Sequence, residues 1–191
     1  MFKLRTVLVS LSICLPVVAF AGDNYKPHSA LKGHPNLITA ERDLASAAAA
    51  IDKSQSANEC VFGLEGGHGQ KAKEAIESAR KQVYEAAEWA NGHGKECMGN
   101  KGKKAGKIER MKMHGALHNH GNLIAAEKDL VGALEAISLS QEANECVFGM
   151  EGGHGKEAKE QVEAAYHQVW EAAEYVNTHD NECKEWGKKK H

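Results

Sequence analysis

The sequence predicts an all-α protein in which two tandem antiparallel helical hairpins pack as a four-helix bundle. Three observations support this fold: the chain repeats itself at an offset of 86 residues, apolar residues recur at heptad spacing in each copy, and aromatic residues (6%) and prolines (3) are scarce. The near balance of 24 basic and 26 acidic residues argues against a nucleic-acid-binding domain. The 42% of hydrophobic residues indicates a folded chain.

Residues 1–21 have the pattern of a secretory signal peptide. Lys3 and Arg5 precede an apolar run that ends in the small-residue pattern Ala19-Phe20-Ala21. Loss of these two basic residues changes the formal net charge from −2 to −4. No later stretch offers the roughly 20 apolar residues that span a bilayer. We therefore expect a periplasmic or secreted protein without membrane association after cleavage.

An internal duplication organises the remaining chain. Residues 25–97 align without a gap on residues 111–183, and 44 of the 73 aligned pairs are identical. The densest block is ANECVFGLEGGHG at 57–69, which recurs as ANECVFGMEGGHG at 143–155. Repetition of this strength indicates two copies of one structural unit. The predicted divisions are repeat 1 at 22–97, a basic linker at 98–110, repeat 2 at 111–183 and a basic tail at 184–191.

Each repeat is predicted to form two helices joined by a glycine-rich turn. In the first helix, expected over about 36–62, apolar residues recur every seven positions with a second row three positions later, which draws one stripe. The second helix steps by four and three residues. This pattern is carried by Leu37, Leu44, Ile51, Ala72, Ile76, Ala79 and Val83, with counterparts in repeat 2. One hairpin leaves its stripe exposed, so two hairpins are expected to pack together.

Four cysteines follow the signal segment, in a compartment where disulfides persist: Cys60, Cys97, Cys146 and Cys183. Cys60 lies near the turn of its hairpin and Cys97 past the open end, about 36 Å away along a continuous helix. A disulfide needs Cα atoms within about 7 Å, so pairing within one repeat is excluded unless the first helix breaks. A bundle that alternates up and down, which we prefer because it demands less of the linker, pairs Cys60 with Cys146 and Cys97 with Cys183. Inverted hairpins pair Cys60 with Cys183 and Cys97 with Cys146.

Histidines are duplicated together with the cysteines. Four histidines of repeat 1 recur in repeat 2, namely His28, His34, His68 and His93 as His114, His120, His154 and His179. In the preferred arrangement, His68 and His154 join Cys60 and Cys146 at one end, which is the ligand set of a tetrahedral zinc site. Thiolate ligation and disulfide formation exclude each other at these cysteines.

The opposite end of the bundle is expected to collect the other duplicated histidines. Repeat 2 adds three candidate ligands there, Met111, Met113 and His118. Thioether and imidazole ligands together suit copper. The sequence therefore predicts copper or zinc as the bound ion. The competing interpretation is that these histidines cap helix ends or fill turns.

The ordered motifs HPNL, ANE, GGHG and AAE followed by Asn and His, at 34–93 and in varied form at 120–179, carry a resemblance. They resemble small exported bacterial helical-hairpin proteins of unassigned function. More distantly, the chain is similar to the small metal-binding protein family, which comprises His-rich periplasmic helical bundles that bind divalent metals, notably copper. This chain has fewer histidines on its helix faces and adds four cysteines.

These patterns predict a periplasmic metal-binding or metal-buffering protein with transition metal ions as its partners. A nucleophile with its base, a phosphate-binding GK[ST] motif and a di-iron ligand pattern are missing from the sequence, so we expect no enzyme activity. The alternative is a disulfide-stapled structural or protein-interaction module, with a homodimer as a further expectation.

Overall fold

The computed structural model describes residues 26–57, 67–94, 114–143 and 153–179. These ranges contain four α-helices and no strand: α1 (Pro35–Ser56), α2 (His68–Gly92), α3 (Gly121–Glu142) and α4 (His154–Thr178). A short 3₁₀ helix precedes each hairpin, η1 (Ser29–Leu31) and η2 (Gly115–Leu117). The predicted all-α four-helix bundle is confirmed. The signal segment, the basic linker, the tail, the four cysteines, Met111 and Met113 lie outside the described residues.

Both hairpins begin with the same tight entry into their first helix. Gly33 has φ 93° and Asn119, at the equivalent position of repeat 2, has φ 76°. Glycine and asparagine are the residues that adopt this left-handed conformation most readily. His34 and His120 follow as the N-cap residues of α1 and α3. The left-handed residue therefore redirects the chain from the 3₁₀ helix into the long helix.

The first helix of repeat 1 ends before residue 62, the expected end, and its counterpart in repeat 2 ends at the equivalent position, Glu142. Helix α1 ends at Ser56, and Ala57 donates its N–H to the Lys53 and Gln55 carbonyls as the C-cap. The Ser56 hydroxyl donates to the Asp52 carbonyl at 3.0 Å, a local bond that competes with regular helix geometry. The apolar stripe was therefore extrapolated too far, and residues 58–66 lie outside the described ranges.

The predicted apolar stripes form the core. Leu37, Leu44, Ile51, Ala79 and their equivalents are fully buried. The core contains many alanines, and small side chains let helix axes approach closely. The helices also approach closely at Gly132 of α3, where an added Cβ would lie 2.8 Å from Asp43 Oδ2 of α1. Alanine and glycine thus allow close packing of helices from different repeats.

The two hairpins are inverted relative to each other. The closest packing joins equivalent helices, α1 with α3 and α2 with α4. The first turn of α2 contacts the second half of α4, and the first turn of α4 contacts the second half of α2. These helix pairs therefore run antiparallel, and the preferred up-down-up-down order is wrong. The inverted alternative places the turn of each repeat beside the open end of the other. The apolar stripes do not distinguish the two orders because both bury the same residues.

None of the described helices combines the length and the apolar character needed to cross a lipid bilayer.

Candidate functional site

The histidine of each GGHG motif reaches across to the other repeat. His68 Nδ1 lies 3.0 Å from Gln168 Oε1 and 3.1 Å from Glu171 Oε2, and Gln168 donates its amide to the same carboxylate at 2.7 Å. The equivalent contact at the opposite end places His154 Nδ1 at 2.8 Å from Gln82 Oε1 and 3.4 Å from Glu85 Oε2. We call each of these groups a cross-repeat clip.

The cross-repeat clips contradict the predicted pairing of His68 with His154. His68 at the start of α2 contacts the second half of α4, and His154 at the start of α4 contacts the second half of α2. The two histidines therefore lie at opposite ends of the bundle. The inverted order of the hairpins is the physical reason for this separation. The predicted Cys₂His₂ group, which needs both histidines at one end, is therefore wrong.

His93 and His179 cap the ends of α2 and α4. His93 Nδ1 lies 2.9 Å from the Trp89 carbonyl, and His179 Nδ1 lies 3.0 Å from the Tyr175 carbonyl. Each imidazole stacks on the aromatic ring four residues earlier, with ring centroids 4.3 Å and 4.1 Å apart. Tyr175 also lies 6.4 Å, centroid to centroid, from His68. His68 and His179 therefore belong to the same end.

His28 and His114 cap the short 3₁₀ helices. Nδ1 of His28 accepts the Ala30 N–H at 3.3 Å, and Nδ1 of His114 accepts the Ala116 N–H at the same distance. Their rings pack on aromatic side chains of the second helices, with centroid distances of 4.8 Å to Tyr84 and 4.3 Å to Trp170. Both histidines thus fasten the entry turn of their repeat to its second helix.

His34 and His120 bridge the two helices of one hairpin. His34 Nε2 lies 3.1 Å from Asn91 Oδ1, and Asn91 donates its amide to the Ala30 carbonyl at 2.8 Å. His120 and Asn177 repeat this arrangement at 3.0 Å. Because the asparagine oxygen accepts, Nε2 of each histidine carries the hydrogen. Nδ1 of His34 is buried and has no partner within the described residues.

These hydrogen bonds divide the candidate ligands into three groups, of which the bridging histidines His34 and His120 keep a lone pair on Nδ1. A neutral imidazole has one protonated nitrogen and one lone pair, and only the lone pair binds a metal. In His28 and His114 the Nδ1 lone pair is used by a backbone N–H, which leaves a hydrogen on Nε2. The clip and helix-end histidines instead donate through Nδ1, which leaves the Nε2 lone pair for a ligand: His68, His154, His93 and His179.

The described residues do not contain a complete metal site. No three His, Cys, Asp or Glu side chains within them are gathered closely enough to hold an ion. His118 is exposed at the C-cap of η2. The predicted ligands Met111, Met113 and the four cysteines fall outside the described ranges. The prediction that one end collects the six other duplicated histidines is wrong, because the inverted order places three of them at each end. His28, His34 and His93 lie at the end that holds His154, and His114, His120 and His179 lie at the end that holds His68.

A groove that is open to solvent lies beside the His68 clip. It is lined by His68 and His114 together with Glu171, Glu174 and Tyr175. The two carboxylates and the His68 imidazole give this groove donor types that divalent transition metals accept, whereas the Nδ1 lone pair of His114 is already used by the Ala116 N–H. The side chain of His68 is 33% exposed, so a small ion can reach it from solvent.

Sequence reasoning missed a buried carboxylate in each hairpin. Glu41 is 2% exposed, and its Oε1 accepts hydrogen bonds from Arg80 Nη2 and from the Tyr84 hydroxyl, both at 2.7 Å. Burial and the hydrogen bond to Glu41 raise the pKa of Tyr84 to about 12. Glu127 occupies the equivalent position, and burial together with its hydrogen bond to Tyr166 raises the pKa of that phenol to about 12. The available signal was a glutamate retained beside the apolar stripe in both repeats.

Comparisons with known proteins found no match for this chain among protein-family models, curated proteins or solved structures.

Proposed function

We propose that this protein is an exported metal-binding protein that takes up copper or zinc at both ends of its bundle. The observation that carries the proposal is the environment of His68 Nδ1, which is hydrogen-bonded to Gln168 Oε1 of the other repeat and lies 3.1 Å from Glu171 Oε2. Metal-binding histidines characteristically donate their second ring N–H to a carboxylate or carbonyl, which fixes the ring and increases the basicity of the ligating nitrogen. At the other end, His154 Nδ1 is hydrogen-bonded to Gln82 Oε1 and lies 3.4 Å from Glu85 Oε2.

The proposed sites combine one clip histidine with one helix-end histidine. His68 and His179 belong to one end, and His154 and His93 to the other. Because two imidazoles do not complete a copper or zinc coordination sphere, further ligands come from solvent or from cysteine thiolates. Formation of disulfides removes the thiolates, so metal affinity should depend on the redox state. Two similar sites predict a stoichiometry of two ions per chain.

Equilibrium dialysis with Cu²⁺ and with Zn²⁺, followed by elemental analysis, tests this proposal. We expect two ions per chain with dissociation constants below about 100 μM, measured for reduced and oxidised protein. The variants His68→Ala and His154→Ala should each lose one ion, and the double variant should lose both. His28→Ala and His114→Ala are matched controls because their Nδ1 lone pairs are already used, and they should retain both ions.

Two outcomes would contradict the metal proposal. One is the absence of binding tighter than about 100 μM in both redox states. The other is a stoichiometry that does not change when His68 and His154 are replaced. Circular dichroism of every variant separates a lost site from a lost fold.

A second candidate function is a structural or protein-interaction module without catalytic activity. It is favoured by one specific observation: eight duplicated histidines all make hydrogen bonds within the bundle. Under this alternative, His68→Ala lowers the unfolding free energy, and adding Cu²⁺ or Zn²⁺ leaves the stability of the full chain unchanged. An increase in melting temperature with either ion would argue against it.

A further inference from the structure

The contacts between the two repeats are related by a pseudo-two-fold axis. His68 of repeat 1 contacts Gln168 and Glu171 of repeat 2. With the repeats exchanged, the same contacts join His154, Gln82 and Glu85. Equivalent helices also pack against each other antiparallel along the bundle. This arrangement corresponds to the self-complementary interface of a symmetric dimer, placed inside one chain.

Repeat 1 carries both kinds of residue that form a clip, the histidine and its glutamine and glutamate partners. His68 lies on the first turn of α2, while Gln82 and Glu85 lie late on the same helix. At the α1–α3 contact, Ser46 forms a hydrogen bond with Asp129, and repeat 1 also carries an aspartate at the equivalent position, Asp43. A surface that accepts one repeat therefore also fits a repeat supplied by another chain.

The intramolecular arrangement depends on the reach of the connection between the repeats. Gly94 follows α2 at one end, whereas His114 packs on Trp170, level with His68 at the other end. Helix α2 has 25 residues, so the connection must cover about 36 Å along the bundle. The 19 residues from 95 to 113 extend to at most about 70 Å, which is sufficient.

We infer that two copies of the chain can exchange repeats and form a domain-swapped dimer, which becomes the favoured state when the linker is too short for the repeats of one chain to pair. In this dimer, repeat 1 of one chain packs against repeat 2 of the other, and all cross-repeat clips are formed between chains. The contacts are the same in the monomer and in the dimer. Only the linker, which keeps the two repeats at a high effective concentration, favours the monomer.

Shortening the linker tests this inference directly. Deletion of residues 98–110 leaves six residues between Gly94 and His114, with a reach of at most about 25 Å. Because this is less than the required distance, the repeats of one chain cannot pair with each other. In the presence of a reductant, we expect light scattering to show twice the monomer mass and circular dichroism to show unchanged helix content per chain. The melting temperature should rise with protein concentration.

Two controls preserve the reach of the linker. Replacement of residues 98–110 by 13 Gly and Ser residues, or deletion of residues 101–104 alone, should leave the protein monomeric. Adding His68→Ala to the 98–110 deletion should weaken the dimer by at least about tenfold in dissociation constant, because the clip then joins two chains.

Either of two results would overturn the inference. A monomer of the 98–110 deletion with native helix content would mean that the connection does not have to span the bundle. An unfolded monomer would mean that repeats from separate chains do not pair. The full-length chain gives a second measurement: refolding at high protein concentration should yield a dimer fraction that persists on dilution.

Discussion

The buried carboxylates show how single residues set the stability of each hairpin. Burial of a charge is costly unless hydrogen bonds and an opposite charge compensate. Glu41 accepts hydrogen bonds from the Arg80 guanidinium and the Tyr84 hydroxyl. Glu127 accepts them from the Tyr166 hydroxyl and the His114 backbone N–H. The two hairpins thus stabilise the same glutamate by different means. The apolar periodicity of the sequence does not reveal this pair, because it identifies only the apolar residues of the stripe.

Removal of the Arg80 guanidinium should destabilise the protein strongly. Arg80→Leu leaves the Glu41 carboxylate buried with the Tyr84 hydroxyl as its remaining hydrogen-bond donor among the side chains named above. We expect the free energy of unfolding to fall by about 2–3 kcal/mol in urea denaturation at neutral pH. Glu77→Ala is the matched control, because this exposed carboxylate also contacts Arg80, at 3.3 Å, and should cost less than about 0.5 kcal/mol. Equal effects for the two variants would contradict this reading.

Replacement of Asp43 should stabilise the protein at neutral pH. Burial, with a further contribution from Asp129, raises the pKa of the Asp43 carboxyl despite its contact with Arg42. A raised folded-state pKa means that the folded chain binds the proton more tightly than the unfolded chain. The stabilisation from this proton is complete below the unfolded-state pKa and disappears as pH rises through the folded-state value.

We therefore expect Asp43→Asn to raise the melting temperature at pH 7. The difference from the parent protein should shrink as pH falls toward 3.8, the ordinary value for aspartate. Thermal unfolding followed by circular dichroism at pH 4, 5, 6 and 7 measures this trend. Glu135→Gln, which removes an exposed carboxylate from α3, should change little. A lower melting temperature for Asp43→Asn at pH 7 would show that its contact with Arg42 outweighs the cost of burial.

At the scale of secondary-structure elements, the helices were predictable and their ends were not. Heptad spacing identified all four helices because apolar periodicity determines which face is buried. Whether a histidine at a helix end can bind a metal depends on which of its ring nitrogens carries the hydrogen. The spacing of residues in the sequence does not reveal this. His68 and His154 begin α2 and α4, and their hydrogen-bond partners lie 100 and 72 residues away along the chain.

Each cross-repeat clip should act as an independent unit of stability. In a double-mutant cycle, His68→Ala and Gln168→Ala should show a coupling energy of about 0.5–1.5 kcal/mol, because each removes the partner of the other. The cycle of His68→Ala with Gln82→Ala is the control. These residues share α2 but belong to different clips, so their effects should add within about 0.5 kcal/mol. Urea denaturation of the single and double variants provides the four free energies.

For the whole molecule, the bundle was predictable while the relative direction of its hairpins was not. The apolar stripes fit either direction, and the 19 residues between Gly94 and His114 are long enough for both. The direction depends on specific side-chain contacts, including the cross-repeat clips and the close approach of Asp43 to Gly132. These contacts are long-range, and a single sequence does not reveal them.

The inverted order leads to a defined disulfide prediction. Ala57 and His179 lie at one end of the bundle, and Gly94 and Ala143 lie at the other. Each precedes a cysteine by three or four residues: Cys60, Cys183, Cys97 and Cys146. If the oxidised protein forms disulfides, we expect Cys60 with Cys183 and Cys97 with Cys146. Mass spectrometry of a non-reduced tryptic digest identifies the linked peptides, and a Cys60–Cys146 peptide would contradict the inverted order.

The cross-repeat clips also constrain how the two copies can diverge after duplication. Each end of the molecule takes its histidine from one copy and its glutamine and glutamate from the other. A substitution at His68 therefore removes a partner of Gln168 and Glu171 in the opposite copy. A compensating substitution is expected at these two residues. Neither copy can acquire a separate role at these positions without altering its sister, so accepted changes are expected in pairs across the duplication.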